Sequence, residues 1–263
     1  MARRGGERHH GDMMLRAALM LLGFCLAAGA AHAQDGGAGA PASRPIVIEL
    51  FTSQGCSSCP PADAFLGELA KRPNVVALGF HVDYWDYIGW KDPYASKLAT
   101  QRQRLYAQAF DLSYVYTPQM VVNGEEQAVG SERGNVESAL AKATARPPAG
   151  PSLSLALDRD GALAVHVGAG KEETATVWLA CFDREHTTRV SRGENAGSTL
   201  TNYRVVRHFE AIGNWKGPAL DLKVPAPEMA EYVERPDRGV AVLVQRGEVG
   251  PILAAAILSG ARQ

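Results

Sequence analysis

The chain has 263 residues, 46% of them hydrophobic, with 27 Lys and Arg against 28 Asp and Glu. That near balance excludes the strongly basic surface that nucleic acid or anionic lipid would draw, so electrostatics favours proteins or small molecules as partners. Four cysteines in a chain of this size are too few for a disulfide-stapled scaffold.

Residues 1–33 read as a secretory signal peptide. Arg3, Arg4, Arg8 and Arg16 precede an apolar run from Ala17 to Ala30, and Ala31-His32-Ala33 supplies a small-residue cleavage site. The run is about 14 residues, short of the roughly 20 that a spanning helix needs, so no stable membrane anchor is expected after cleavage. Cys25 would leave with the signal, and Phe24 before it is unlike the small residue that precedes a lipoprotein cysteine. The expected location is the bacterial periplasm or the exterior. The mature chain is mildly acidic and keeps Cys56, Cys59 and Cys181.

Residues 34–44, rich in Gly, Ala and Pro, form a flexible leader. Pro45 to Phe51 is a near-continuous apolar run, the pattern of a strand covered on both faces. Pro60 to Arg72 has Phe65, Leu66 and Leu69 at helical spacing, and Asn74 to Val82 is a second buried strand. Tyr94 to Phe110 predicts another amphipathic helix. Thr117 to Gly130 holds two short strands around Asn123-Gly124, a strong hairpin signal. A helix over Asn135 to Thr144 ends the order β-α-β-α-β-β-α. The prolines of "ARPPAGPS", Ala145 to Ser152, then mark a boundary. Residues 45–147 make one expected domain and residues 151–263 another. The latter contains seven strand-like runs separated by Gly, Asp, Asn and Pro clusters, which predicts an all-β sandwich.

The stretch "FTSQGCSSCPPAD", Phe51 to Asp63, puts two cysteines three apart at a strand-to-helix turn. The spacing admits a redox couple, half of a metal site, or a staple. A redox couple needs a thiolate near neutral pH, although a free cysteine titrates near 8.5, and a second thiol within reach. Unpaired N–H groups at a helix start favour the negative sulfur. Pro60 pushes Cys59 out of the α region, so the helix is expected to begin near Pro61, leaving Cys56 less influenced by the helix dipole.

This order of elements, the Cys56-x-x-Cys59 turn after the first strand, and Thr117-Pro118 before the hairpin together resemble the thioredoxin fold over about residues 45–147. More narrowly, "ELFTSQGCSSCPPAD" resembles a family of uncharacterised bacterial secreted proteins, a domain of unknown function grouped with thioredoxin-like proteins. The resemblance implies an α/β thioredoxin-like domain, and with the strand-like runs after it the expected fold class is an α/β thioredoxin-like domain followed by an all-β sandwich-like domain. The narrower family carries no established activity; it is the Cys56-x-x-Cys59 motif in a thioredoxin-like setting that implies thiol–disulfide exchange with a protein substrate and an external redox partner, without a cofactor. Cys56 is then the attacking thiol and Cys59 the buried resolving one. Glu49, a lone charge inside "IVIELF", is the candidate proton acceptor for the resolving thiol, the alternative being a carboxylate at a solvated strand end. Thr117-Pro118 is expected to be cis and, with Gly55, to face an extended substrate.

Two other classes stand beside this reading. A binding or assembly module would keep the disulfide permanently closed. A metal site would need two more ligands than the cysteines supply, and neither a second cysteine pair nor His81 with Asp83 matches a familiar set. The aromatic stretch Phe80 to Ser96 is expected to pack over the core, with Asp92 capping the next helix, or else to wall a substrate groove. Cys181 reads as a buried small hydrophobe.

Overall fold

The computed structural model describes residues 45–147 and 150–259, which fall within one compact unit. The expected signal peptide and leader lie outside the described residues. Among those described, no helix is long and apolar enough to cross a membrane.

Strand β1 (Ile46–Thr52) is buried along its whole length, as its unbroken apolar run requires. It pairs in parallel with β2 (Val75–His81) and antiparallel with β3 (Gln119–Val122), which continues to β4 (Glu126–Val129). Helix α1 (Pro60–Leu69) follows the cysteine turn, α2 (Lys97–Ala109) follows the aromatic loop, and α3 (Arg133–Ala145) follows the hairpin. Alternation along β1 sorts its side chains. Ile46, Ile48 and Leu50 pack with Phe65 and Leu66 of α1 and Val136 of α3, while Val47 and Phe51 share the opposite core with Tyr106 of α2.

The remaining strands are β5 (Leu153–Leu157), β6 (Leu163–Val167), β7 (Ala175–Arg189), β8 (Thr199–Trp215), β9 (Leu220–Val224), β10 (Arg238–Arg246) and β11 (Ile252–Ser259). A short helix α4 (Ala226–Val233), unforeseen in the sequence, precedes β10. Strands β5, β6 and β9 form a small antiparallel sheet.

The expected α/β thioredoxin-like domain followed by a separate β-sandwich is overturned. Strands from both halves join one eight-stranded mixed sheet in the order β11-β10-β7-β8-β2-β1-β3-β4, and the structure is mostly β. The join is made by β2 and β8 in parallel, through Gly79 opposite Val205. A Cβ at position 79 would lie 2.8 Å from the Tyr203 carbonyl oxygen, so the two backbones meet only where a side chain is absent. The second half also supplies the far wall of the first half's core, with Phe182, Phe209, Leu243 and Ile252 packed among Phe51, Phe80 and Tyr106. Local periodicity names strands but carries no information about which distant strand completes a buried edge. A two-domain reading therefore followed from two differing patterns on one sheet.

Candidate functional site

The site is built where β1 ends. Thr52 and the turn Ser53 to Cys56 are buried, and the chain tightens through Cys56 N–H to the Ser53 carbonyl (3.1 Å) and Cys59 N–H to the Cys56 carbonyl (3.2 Å). Cys56 and Cys59 form a disulfide with Cα atoms 5.4 Å apart. Helix α1 begins at Pro60 with Cys59 as its N-cap in the αR conformation (φ −79°, ψ −36°). The following proline therefore does not displace Cys59 from helical geometry, and the expected late start at Pro61 is corrected. The Cys59 carbonyl accepts from the N–H groups of Ala62 and Asp63, so the first turn includes the cysteine.

An accessible attacking sulfur, expected from the resemblance, is not what the fold presents. Both cysteines have 0% exposure, while Ser57 and Ser58 between them are exposed. Two segments hold the turn that carries the cysteines. The aromatic loop lays Trp85 and Ile88 over Gly55, where an added Cβ would meet the Trp85 Cβ at 3.0 Å, and Trp90 donates its indole N–H to the Gln54 side chain (3.1 Å). The turn between β7 and β8 contributes Asn195, whose amide donates to the carbonyls of Gln54 (2.9 Å) and Cys56 (3.0 Å). It also contributes Glu194, whose carboxylate accepts from the Ser57 N–H (3.1 Å).

Thr117-Pro118 is cis and leads into β3. The Thr117 hydroxyl accepts from the Trp85 indole N–H (2.8 Å), which links Thr117 through Trp85 to Gly55 and the cysteine turn. Gly55 and Thr117 thus meet through the aromatic loop, beside the turn that carries Cys56 and Cys59. Glu49 is not among them. It lies on the other face of β1, fully buried, taking hydrogen bonds from Arg102 Nε (2.8 Å) and from the Tyr106 hydroxyl. Gln245 completes that cluster by bonding both Arg102 and Tyr106. Its partner Arg102 sits 4.6 Å from the Phe209 ring centroid, a buried ion pair wrapped in aromatics.

The acid beside the cysteines is Asp63, which sequence reasoning passed over. It lies one helical turn after Cys59, so both side chains share one face of α1, and it is 5% exposed. Burial pushes its carboxyl up to about 6, against the pull of the His81 charge and of hydrogen bonds from Thr52 and Asn202. The Thr52 hydroxyl donates to it at 2.9 Å. His81, at the end of β2, bonds through Nδ1 to Asp92 at 2.7 Å, and its buried Nε2 has no partner among the described residues. Burial disfavours the imidazolium, but Asp92 and Asp63 outweigh it and hold His81 above its usual range. Burial likewise disfavours the Asp92 carboxylate, and His81 with the N–H groups of Gln54 and Tyr94 holds it below the usual range. Asp92 therefore braces the cysteine turn instead of capping α2, whose cap is Ser96. A pocket of about 220 Å³, lined by Pro60, Asp63, Ala64 and the start of β8 from Thr199 to Tyr203, opens beside this acid. The sequence signal for Asp63 was its i+4 spacing from Cys59 on the predicted helix.

Cys181 is buried in the second core, its thiol pushed up to about 12 by burial and by Glu210. Among the described residues, no three His, Cys, Asp or Glu side chains cluster as a metal site.

A family model described as protein of unknown function (DUF1223) matches residues 47–245, a span that includes the cysteine turn, Asp63 and the Asn195 turn. The chain belongs to that family. A crystal structure of a protein from Agrobacterium tumefaciens is 36% identical, with a TM-score of 0.73 over 85% of this chain and 98% of that one. HBP35 of Porphyromonas gingivalis is similar in fold alone, at 15% identity and a TM-score of 0.56, covering 83% of this chain and 76% of that one. No curated protein matches.

Proposed function

We propose that the protein exchanges disulfides with polypeptide thiols through Cys56 and Cys59, at a site that its own chain covers in the state described. The observation that supports this reading is Asp63. A carboxyl placed on the Cys59 face, whose charged neighbour is His81 and which burial nevertheless pushes up to about 6, is destabilised when ionised, which a purely structural disulfide gives no reason to retain. It suits a site where a sulfur must gain and lose a proton near neutrality.

In the exchange, a partner thiolate attacks the Cys56 sulfur. The Cys56–Cys59 bond breaks, and Cys59 leaves as a thiolate that takes a proton from Asp63. A second partner thiolate then attacks the partner sulfur of the mixed disulfide and releases Cys56. The partner dithiol loses two electrons and becomes a disulfide; the Cys56 thiolate and the Asp63 carboxylate take up the two protons that the partner thiols released, and the couple ends as two thiols. An external thiol–disulfide protein returns it to the starting state, and the same steps run in reverse for an oxidised partner. The signal-peptide pattern of residues 1–33 supports a periplasmic or extracellular setting, where a disulfide persists.

A second reading, an exported binding module with a structural disulfide, is favoured by the complete burial of both cysteines. Equilibration with glutathione and dithiothreitol buffers separates the two. An exchange couple settles above roughly −300 mV, and its Cys59→Ala variant forms a stable mixed disulfide at Cys56 with a cysteine-containing peptide. A more negative couple with no adduct moves the protein to the second reading.

A further inference from the structure

The hairpin of β7 and β8 runs to Arg189 opposite Thr199, and its turn reaches across to the cysteine loop. The turn is closed by its own backbone, Val190 N–H to Ser198 carbonyl and Gly197 N–H to Val190 carbonyl, both 2.9 Å, with Gly193 and Gly197 in left-handed conformations. Gly193 lets it lie against Trp90, whose Cβ is 3.2 Å from where a side chain would begin. From Ser191 to Ser198 it carries no apolar side chain larger than alanine. Its grip on the cysteine loop is polar and long-range: the Asn195 amide holds two carbonyls and Glu194 one N–H, across 137 to 141 residues of sequence.

Those three backbone groups, the carbonyls of Gln54 and Cys56 and the N–H of Ser57, flank the sulfur that a partner thiol has to reach. They are also the groups that an extended polypeptide would pair with on its approach. Val190 at the base of the turn is fully buried and anchors it, while residues 191–198 beyond are held by these hydrogen bonds and the Gly193 contact with Trp90, the kind of segment that opens locally while the core stays folded.

We propose that the 191–198 turn is a latch over the cysteine loop, in which Asn195 is the positioning residue. An extended polypeptide carrying a thiol displaces Asn195 and Glu194 by presenting its own N–H and C=O groups to the same backbone. The inference rests on the exchange reading for its partner, while access to the disulfide is measurable without one.

The test is the rate at which tris(2-carboxyethyl)phosphine reduces the disulfide of the full chain. Asn195→Ala is expected to raise the rate about tenfold, equivalent to about 1.4 kcal/mol, as expected for losing one or two hydrogen bonds. Glu194→Ala, at an exposed position that does not threaten folding, raises it by a smaller factor. Asn195→Asp, which sets a carboxylate against two carbonyls, is fast relative to wild type at pH 7. It returns towards wild type at pH 4, where the protonated acid can donate again; Asn195→Ala shows no such return. Wild-type rates in all three variants overturn the latch. So does an equal acceleration in Val165→Ala, a core change in the small sheet, because reduction would then follow general loosening. If exchange itself fails, the phosphine rates still report the latch, and the failure is seen separately as absence of a peptide adduct on Cys56.

Discussion

Asp63 and Glu49 show how far single residues are legible. The lone charge in an apolar strand signalled that Glu49 needs a partner, and Arg102 supplies it, but the face that it occupies follows from counting alternate positions from Val47 to Phe51. The same count puts Thr52 on the α1 side, where Asp63 waits four residues beyond Cys59. Asp63 also gives a signed prediction. Its folded pKa of about 6 is above the unfolded value near 3.8, so stability is lost as pH rises from the unfolded to the folded value and the full cost stands above it. A shift of about two units corresponds to about 3 kcal/mol. Asp63→Asn, which keeps the shape and removes the charge, is expected to stabilise the protein by up to about that amount at pH 8. The gain fades as pH falls from 6 to 4, where the wild-type carboxyl becomes protonated in both states. Denaturant midpoints across pH 4 to 8 measure it; a gain independent of pH would show that the carboxyl is not the titrating group.

At the scale of elements, the strands and helices of the first half were legible because each has a strong local cause: an unbroken apolar run for β1, helical spacing for α1 and α2, and Asn123-Gly124 for the β3 to β4 turn. The apolar runs ATVWLACF and YRVVRHF predict strands shorter than β7 and β8, because residues 183–189 and 199–202 are mostly polar and pair with each other, and residues 210–215 pair with β7 without an unbroken apolar run. What joins the two sets is steric and invisible to any pattern, a glycine in β2 against the backbone of β8. Gly79→Ala forces a Cβ to within 2.8 Å of the Tyr203 carbonyl oxygen, a backbone atom that moves only if the strand moves. It is expected to destabilise by about 1–3 kcal/mol. Gly134→Ala at the start of α3, where nothing lies within 4 Å, is expected to stabilise by about 0.5 kcal/mol through helix propensity. Opposite shifts in the urea midpoint check the pair, and a harmless Gly79→Ala would mean that β2 and β8 do not depend on that close approach.

Across the whole molecule, the join through β2 has a consequence for residues 45–147. Alone, this segment would leave the β2 edge unpaired and uncover Phe51, Phe80 and Tyr106, which Phe182, Phe209, Leu243 and Ile252 otherwise cover. The buried Glu49 and Arg102 would also lose the Gln245 side chain and the Glu248 carbonyl that satisfy Arg102. Leaving such donors unsatisfied costs about 1–3 kcal/mol each, on top of the apolar area returned to water, which together rival the 5–15 kcal/mol net stability of an ordinary domain. The cysteine turn would lose Asn195 and Glu194 as well, so the local site and the global sheet fail together. Expressed by itself, the 45–147 segment is therefore expected to bind hydrophobic dyes, to show no sharp thermal transition and to leave Cys56 and Cys59 readily reduced. A cooperative transition with a protected disulfide would instead establish that the first half folds on its own, and that β8 and its latch are laid onto a finished structure.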